Sequence, residues 1–285
     1  MKKVQSTCNV CSLACNLDFY VENEQIVKVI PTPHYPVNKG FSCIKGISLD
    51  KQNTKFRPSP LPKIRNVKGE MQETTWEEAY DYVAKKLLEI KETYGGDSIA
   101  AISTGQLPLE EMALFSHVMR NFLRGHVDGN TRLCMATSVV AHKQSFGFDA
   151  PPYTLNDFEL SDTIFLIGAN PIVTHPIIWS RIRNNPNKKV IVIDPRRSET
   201  AQRSDYHYAL NGKTDIYLFY GLAHILIEKD YLDHNYIEAH TENFQGFKDL
   251  IAEYTPDVVA KKTGLSIESL YEMAELIHTG ERASF

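Results

Sequence analysis

Four of the five cysteines fall within the first 43 residues, spaced Cys8-x2-Cys11-x3-Cys15, with Cys43 following after 27 further residues. Thiolate is the soft ligand that iron–sulfur clusters and structural zinc sites share, so spacing has to separate the two. Three close cysteines with a remote fourth are a usual supply for a four-thiolate iron–sulfur cluster. Structural zinc more often takes two separated Cys-x2-Cys knuckles, and only one such pair is present. Unligated thiols are the poorest reading, because four cysteines in one small unit would be prone to oxidation. The odd, front-loaded count also argues against a secreted disulfide framework.

The fifth cysteine stands apart in Asp128-Gly129-Asn130-Thr131-Arg132-Leu133-Cys134-Met135-Ala136, at the start of an expected helix. A lone cysteine there is more often a small buried hydrophobe than a ligand. A second group of chemistry-bearing residues lies in three loops: Gly168-Ala169-Asn170-Pro171, Asp194-Pro195-Arg196 and Lys213-Thr214-Asp215. A carboxylate at a strand end can accept hydrogen bonds from ribose hydroxyls or a guanine edge, and N–H groups at a helix start can hold a pyrophosphate. Each loop alone is a weak signal. Asp-Pro-Arg also suits a turn, and Asp215 also suits a helix N-terminus.

The elements that must position these residues fall into two parts. Residues 1–60 read as a short unit with a hairpin, strands 17–21 and 25–30 around Glu22-Asn23-Glu24. A proline-rich stretch, residues 56–63, leads out of it. The remainder, residues 61–285, reads as one α/β region. Thr75-Trp76-Glu77-Glu78 is a capping-box start for a helix whose apolar positions recur to Ile90, with a stop at Gly95-Gly96. Residues 98–103 are expected to form a short buried strand. A helix over 110–123 should be capped by Gly125. Residues 163–167 and 189–193 are continuous apolar strands and 206–210 a shorter one, with helices over 175–183, 214–228 and 267–278. Apolar strands alternating with helices imply a parallel, doubly covered sheet that binds ligands beyond its carboxyl ends. The expected fold class is therefore α/β: a small N-terminal domain of β-hairpins, then a Rossmann-like parallel-sheet region.

The bulk numbers close off other classes. Hydrophobic content is 42% and charged content 23%, as in a globular protein. A net charge of −4 provides no basic footprint for nucleic acid. No apolar run approaches the ~20 residues that span a bilayer. The opening Met1-Lys2-Lys3-Val4-Gln5-Ser6 has neither an apolar signal core nor twin arginines, so a cytoplasmic location is expected.

Cys8-Asn9-Val10-Cys11-Ser12-Leu13-Ala14-Cys15, with Gly40-Phe41-Ser42-Cys43-Ile44-Lys45-Gly46, resembles the [4Fe–4S] domain of the molybdopterin oxidoreductases. That family includes formate dehydrogenases, dimethyl sulfoxide reductases and nitrate reductases. The resemblance implies that Cys8, Cys11, Cys15 and Cys43 ligate a [4Fe–4S] cluster. It also implies that Lys45 lies between cluster and pterin on the electron path. Asn130-x-Arg132-x-Cys134-Met135-Ala136 resembles the molybdenum-ligand segment of periplasmic and assimilatory nitrate reductases, which makes Cys134 the expected metal ligand. Formate dehydrogenases of the family follow their cysteine or selenocysteine with a histidine, and here that position is Met135. An apolar neighbour suits oxygen-atom transfer from an anion better than proton abstraction.

The three loops resemble segments that grip a molybdopterin guanine dinucleotide, implying contacts from Gly168, Ala169, Asn170, Asp194, Arg196, Lys213, Thr214 and Asp215. Gln106 and Asn130 match further cofactor contacts. Phe148-Asp149-Ala150-Pro151-Pro152-Tyr153 and the segment from His175 to Arg181 also look like nitrate reductase sequence. His175 could line a substrate route, although packing near a helix start is the commoner role. His117 and His142 are expected to be structural.

The resemblance implies a [4Fe–4S] cluster, a molybdenum bis(molybdopterin guanine dinucleotide), two-electron reduction of nitrate, and an electron-donor protein or reductase subunit as partner. It implies neither nucleic-acid binding nor a membrane span. A formate dehydrogenase-like molybdoenzyme is the alternative within the class. Outside it stands an iron–sulfur electron-transfer subunit without molybdenum, as in the large iron–sulfur subunit of respiratory complex I. Catalytic subunits of the family are much longer, with a C-terminal domain for the second pterin, so the chain is expected to be truncated relative to them. Alone it should assemble the cluster but retain the molybdenum cofactor poorly.

Overall fold

The computed structural model describes residues 1–51 and 61–285, and it divides into two compact units, Met1–Pro152 and Tyr153–Phe285. Most of the expected proline-rich linker lies outside the described residues.

The first unit opens with an antiparallel sheet of β1 (Lys2–Thr7), β2 (Asn16–Glu22) and β3 (Gln25–Pro31), in that order. β2 and β3 form the expected hairpin. Asn23 and Glu24 both have positive φ, +48° and +62°, the left-handed pair a two-residue loop needs to match strand twist. β1 was not expected. It is exposed at every residue and carries no apolar alternation, and its place is fixed by backbone pairing from Lys2↔Val21 to Thr7↔Asn16. Asp18, 1% exposed, is held in this sheet by Lys3 at 2.6 Å, Gln5 Nε2 at 2.9 Å and the Thr32 hydroxyl at 2.9 Å. These partners, the Lys3 ammonium first, hold the Asp18 carboxyl below its ordinary range. A short α1 (Ile44–Ile47) follows.

Beyond a small hairpin of β4 (Lys63–Arg65) and β5 (Met71–Glu73), α2 (Trp76–Tyr94) starts at the expected capping box. The Thr75 hydroxyl accepts from Glu78 N–H, and the Glu78 carboxylate accepts from Thr75 N–H. Of its residues only Ala79 is buried, while Trp76, Tyr80 and Val83 are exposed. β6 (Ala100–Ser103) and β7 (His126–Gly129) form a parallel pair.

Two expectations need correction here. The strand expected over 98–103 exists, but its residues alternate between exposed and half-buried, because only one face of the pair meets the small core of Ile99, Met119 and Leu123. The helix expected over 110–123 is α3 (Leu109–His117), which runs on as one wider π-type turn, Val118–Leu123. Arg124, not Gly125, takes the left-handed cap conformation, at φ +58°. Gly125 serves close approach instead, since a Cβ there would lie 2.7 Å from the Ile99 carbonyl oxygen. α4 (Thr131–Phe146) ends the unit with no buried residue.

The second unit is a four-stranded parallel sheet, ordered β10-β9-β8-β11. β8 (Thr163–Ile167) and β9 (Lys189–Ile193) match the expected bounds; β10 is Tyr206–Tyr208 and β11 is Ala283–Ser284. Strand side chains alternate between two closed cores. Ile164, Leu166, Val190 and Val192 pack with Trp179 and Ile182 of α7 (Pro176–Asn184). Phe165, Ile191 and Ile193 pack with Leu218, Leu222 and Ile225 of α8 (Asp215–Glu228) and with residues of two later helices. Short α5 (Asp157–Leu160) and α6 (Pro171–Thr174) precede α7. After α8 come α9 (His234–His240), α10 (Phe244–Ile251), α11 (Pro256–Thr263) and α12 (Ile267–His278). β11 closes one sheet edge, with Phe285 stacked on Phe165 at 4.8 Å. Among the described residues, no helix is long and apolar enough to cross a membrane.

Candidate functional site

The three-cysteine loop joins β1 to β2. Cys8 follows the last residue of β1 and Cys15 precedes the first of β2, and Cys8 N–H donates to the Cys15 carbonyl at 2.8 Å. Ala14, at φ +57°, turns the chain back toward the sheet. Cys43 is the residue before α1, and its loop is fastened by Asn38, a side chain the sequence did not single out. Asn38 is 1% exposed; its amide donates to the carbonyls of Asn16 and Phe41 and accepts from Asn16 N–H at 3.0 Å. Gly46 lets α1 close over the loop, because a Cβ there would stand 2.6 Å from Ser42 Oγ and 3.5 Å from Cys8 Sγ.

The structure therefore gathers Cys8, Cys11, Cys15 and Cys43, all as free thiols, with Lys45 beside them. Burial, then the neighbouring cysteines, pushes Cys15 up to about 11, and burial likewise raises Cys8, with the Lys45 charge opposing it. Four thiolates cannot share such a pocket unless a cationic group compensates them, and binding one releases the thiol protons. Among the described residues, no three His, Cys, Asp or Glu side chains are placed to hold a single metal ion. Tetrahedral zinc at about 2.3 Å would need its thiolates roughly 3.8 Å apart, whereas a four-iron cluster places each thiolate on a different iron. The donor set fits the cluster.

A second set of side chains lies where β6 and β7 end, at the carboxyl edge of that parallel pair. Asn130 precedes α4; its side-chain oxygen accepts from Gly105 N–H at 2.9 Å, and its carbonyl accepts from Cys134 N–H at 3.2 Å. Gln106 reaches the cysteine loop, its amide nitrogen donating to the Val10 carbonyl at 3.3 Å. Between the two loops lies a cleft of about 440 Å³ whose walls include Cys8, Cys11, Ala14, Gln106 and Glu110. Cys134 is exposed in the first turns of α4, so it is not a buried packing residue, and Met135 beside it is 41% exposed. His117 and His142 make local helix contacts, to Asn121 and to the Ser138 carbonyl.

In the second unit, two of the three loops are tied together. Gly168, at φ +58°, sends its N–H to the Ile193 carbonyl at 2.9 Å. Ala169 follows it, and the Asn170 side chain then donates to Glu199 at 2.7 Å and accepts from the Thr200 hydroxyl at 2.7 Å. Asp194 accepts from Arg196 N–H at 2.7 Å, so the Asp-Pro-Arg segment is a side-chain-stapled turn with Arg196 exposed. The third loop sits elsewhere, fastened through Asn211 to Lys262 and Thr263 of α11. There Lys213 has φ +68°, Thr214 precedes α8 with its hydroxyl turned to the Asn211 carbonyl, and Asp215 is the first helical residue. His175 precedes α7, its Nδ1 3.0 Å from the Thr174 hydroxyl oxygen. Glu199 and Thr200 were missed from sequence, and a polar Ser198-Glu199-Thr200 run between two apolar strands was the only available signal.

The chain thus carries a four-cysteine loop domain and, separately, loops at the carboxyl ends of parallel strands. Family comparison covers both: residues 1–53 match the molybdopterin oxidoreductase Fe4S4 domain, and residues 61–280 match molybdopterin oxidoreductase. The chain belongs to the molybdopterin oxidoreductase family. It is 32% identical over 283 residues to a nitrate reductase of Synechocystis sp., covering 93% of the chain and 39% of that protein. It is 31% identical over 296 residues to formate dehydrogenase H of Escherichia coli, covering 100% of the chain and 41% of that protein. The chain thus spans about two fifths of the length of these curated relatives. Acetylene hydratase from Pelobacter acetylenicus shares the fold, with a TM-score of 0.79 at 23% identity over 99% of the chain and 40% of that protein.

Proposed function

We propose that the chain is the cluster-bearing part of a molybdenum oxidoreductase that converts nitrate, two protons and two electrons to nitrite and water. The observation that carries this reading is the pair Cys134–Met135: an exposed thiol at a helix start, followed by an apolar thioether where a formate-type site resembling it has a histidine. Nitrate reductases among the relatives support it.

When bound, molybdopterin-held molybdenum supplies a two-electron centre able to accept an oxygen atom, and the cluster supplies electrons singly. In this reading Cys8, Cys11, Cys15 and Cys43 hold the [4Fe–4S] cluster, and Cys134 holds molybdenum. Lys45 keeps a positive charge beside the cysteine pocket, which favours electron arrival. Met135 would present an apolar thioether beside Cys134, which suits oxygen-atom transfer from an anion better than proton abstraction. Gln106 and Asn130 contact the pterin. Gly168, Ala169, Asn170, Asp194, Arg196, Lys213, Thr214 and Asp215 hold a guanine dinucleotide. Because the Asn170 amide is already engaged by Glu199 and Thr200, contact from that residue would come through its main chain. Residues 1–60 form the cluster domain and 61–285 the pterin-nucleotide region, served by an electron-donor protein or reductase subunit.

A formate dehydrogenase reading draws support from the similar identity to formate dehydrogenase H, and Met135 opposes it. An electron carrier without molybdenum is opposed by the exposed Cys134. The test counts iron and molybdenum in anaerobically purified native protein and in its Cys134→Ala variant, then assays nitrate and formate separately. About four irons per chain are expected; whatever molybdenum the chain retains should be lost in the variant and should support turnover of nitrate, not formate. Formate turnover would replace the proposal with its rival; iron without molybdenum would support the incomplete-chain or the carrier reading, and zinc without iron would sink the central claim.

A further inference from the structure

The Gln106 amide bonds to one end of a peptide whose other end is the N–H of a cluster-type cysteine. Its Nε2 donates to the Val10 carbonyl at 3.3 Å, and that carbonyl shares a peptide unit with Cys11 N–H. Gln106 is not a loose surface side chain that happens to reach the loop. Its own N–H donates to the Thr104 hydroxyl at 3.3 Å, and the preceding Gly105 N–H is held by Asn130 at 2.9 Å. Asn130 is in turn tied to Ser103 through its N–H at 3.1 Å and to Cys134 N–H through its carbonyl at 3.2 Å. One continuous set of hydrogen bonds therefore runs from the cysteine loop to the segment bearing Cys134.

We propose that Gln106 is a positioning residue that sets the reduction potential of the cluster held by Cys8, Cys11, Cys15 and Cys43, acting through the Val10–Cys11 peptide. The inference rests on the cluster assignment above and adds to the pterin contact given to Gln106 there. Donation to a carbonyl polarises its peptide and makes the N–H at the other end a stronger donor. Hydrogen bonds to cluster sulfurs are among the determinants of iron–sulfur potentials, and a stronger donor favours the more negative, reduced state. Gln106 thus raises the potential, and its loss lowers it. The same bond holds the loop across the cleft from residues 105–110, so the peptide keeps its orientation when the cluster changes charge.

The experiment is an EPR-monitored redox titration of the full chain, purified anaerobically, in wild type, Gln106→Met and Asn130→Ala. Methionine keeps the length of the side chain and removes the donor. Its cluster should retain its iron, and its reduction equilibrium should fall about tenfold, or about 59 mV for one electron. Asn130→Ala loosens the loop without removing the Gln106 amide and should shift the midpoint the same way by less. Pulsed EPR after exchange into D2O should show a weaker coupling from an exchangeable proton in Gln106→Met than in wild type, a change that altered packing alone would not produce. A wild type that binds no iron overturns the cluster reading and this inference with it. An iron-replete Gln106→Met with an unchanged midpoint and unchanged proton coupling overturns the inference alone.

Discussion

The two units hold themselves together by different means. In the second, every core strand is covered on both faces, and Ile164, Ile182, Ile191, Leu218, Ile225, Leu270 and Met273 are fully buried. In the first, α2 buries only Ala79, α3 and α4 bury nothing, and the β6–β7 pair has a single small core. What orders the first unit is a series of polar ties: Asp18 with Lys3, Gln5 and Thr32, then Asn38 with Asn16 and Phe41, and Asn130 with Gly105. Apolar burial is the dominant driving force in folding, at roughly 25 cal/mol per Å². The chemistry-bearing cysteines thus lie in the unit with less of it. The unit closed on both faces of its sheet is the one carrying the loops after β8 and β9.

The contrast breaks most readily under core truncation. Ile225→Ala should cost about 2–5 kcal/mol in urea unfolding, through lost transfer energy and a cavity, whereas Val83→Ala on exposed α2 should stay within about 0.5 kcal/mol. Equal losses would mean that the first unit is as tightly packed as the second. Asp18→Asn comes next, with an expected loss of about 1–3 kcal/mol at neutral pH as buried donors lose a charged acceptor. The folded-state pKa of Asp18 is below its ordinary value, so its contribution is full above the unfolded pKa of about 3.9 and disappears as pH falls through the folded value. Stability curves of wild type and Asp18→Asn, followed from pH 7 to pH 2, should therefore converge in acid; parallel curves would deny the charge a role. Thr75→Ala has the smallest effect, about 1 kcal/mol from the loss of the α2 cap, read as earlier thermal loss of helix signal.

What the sequence disclosed followed the strength of its local pattern. Residues 163–167 and 189–193 are unbroken apolar runs, and the strands took those bounds because both faces are buried. The Thr75–Glu78 box and the Asn23-Glu24 turn were equally legible, since the side chains or backbone angles act within four residues. β1 was illegible because backbone pairing and the Lys3 and Gln5 ties to Asp18 place it with no apolar pattern, and β11 because two residues carry no pattern. The burial of residues 98–103 was misjudged for a related reason: an apolar run reports a tendency to be covered, not whether a cover is present. At the site, cysteine spacing disclosed the pocket. The tie from Gln106 to Val10 spans 96 positions, and no local rule reaches that far.

The Asn170 amide that joins the ends of β8 and β9 also bears on motion. It receives Thr200 N–H at 3.3 Å as well as the hydroxyl, and the Thr200 hydroxyl oxygen accepts from Ile172 N–H at 3.3 Å. Thr200 itself is wholly buried. Amides at these positions should exchange with solvent on the timescale of the sheet beneath them, not at the rate of surface turns. Little backbone freedom is left there for an arriving molecule to remove, and binding at this edge would pay correspondingly little ordering entropy.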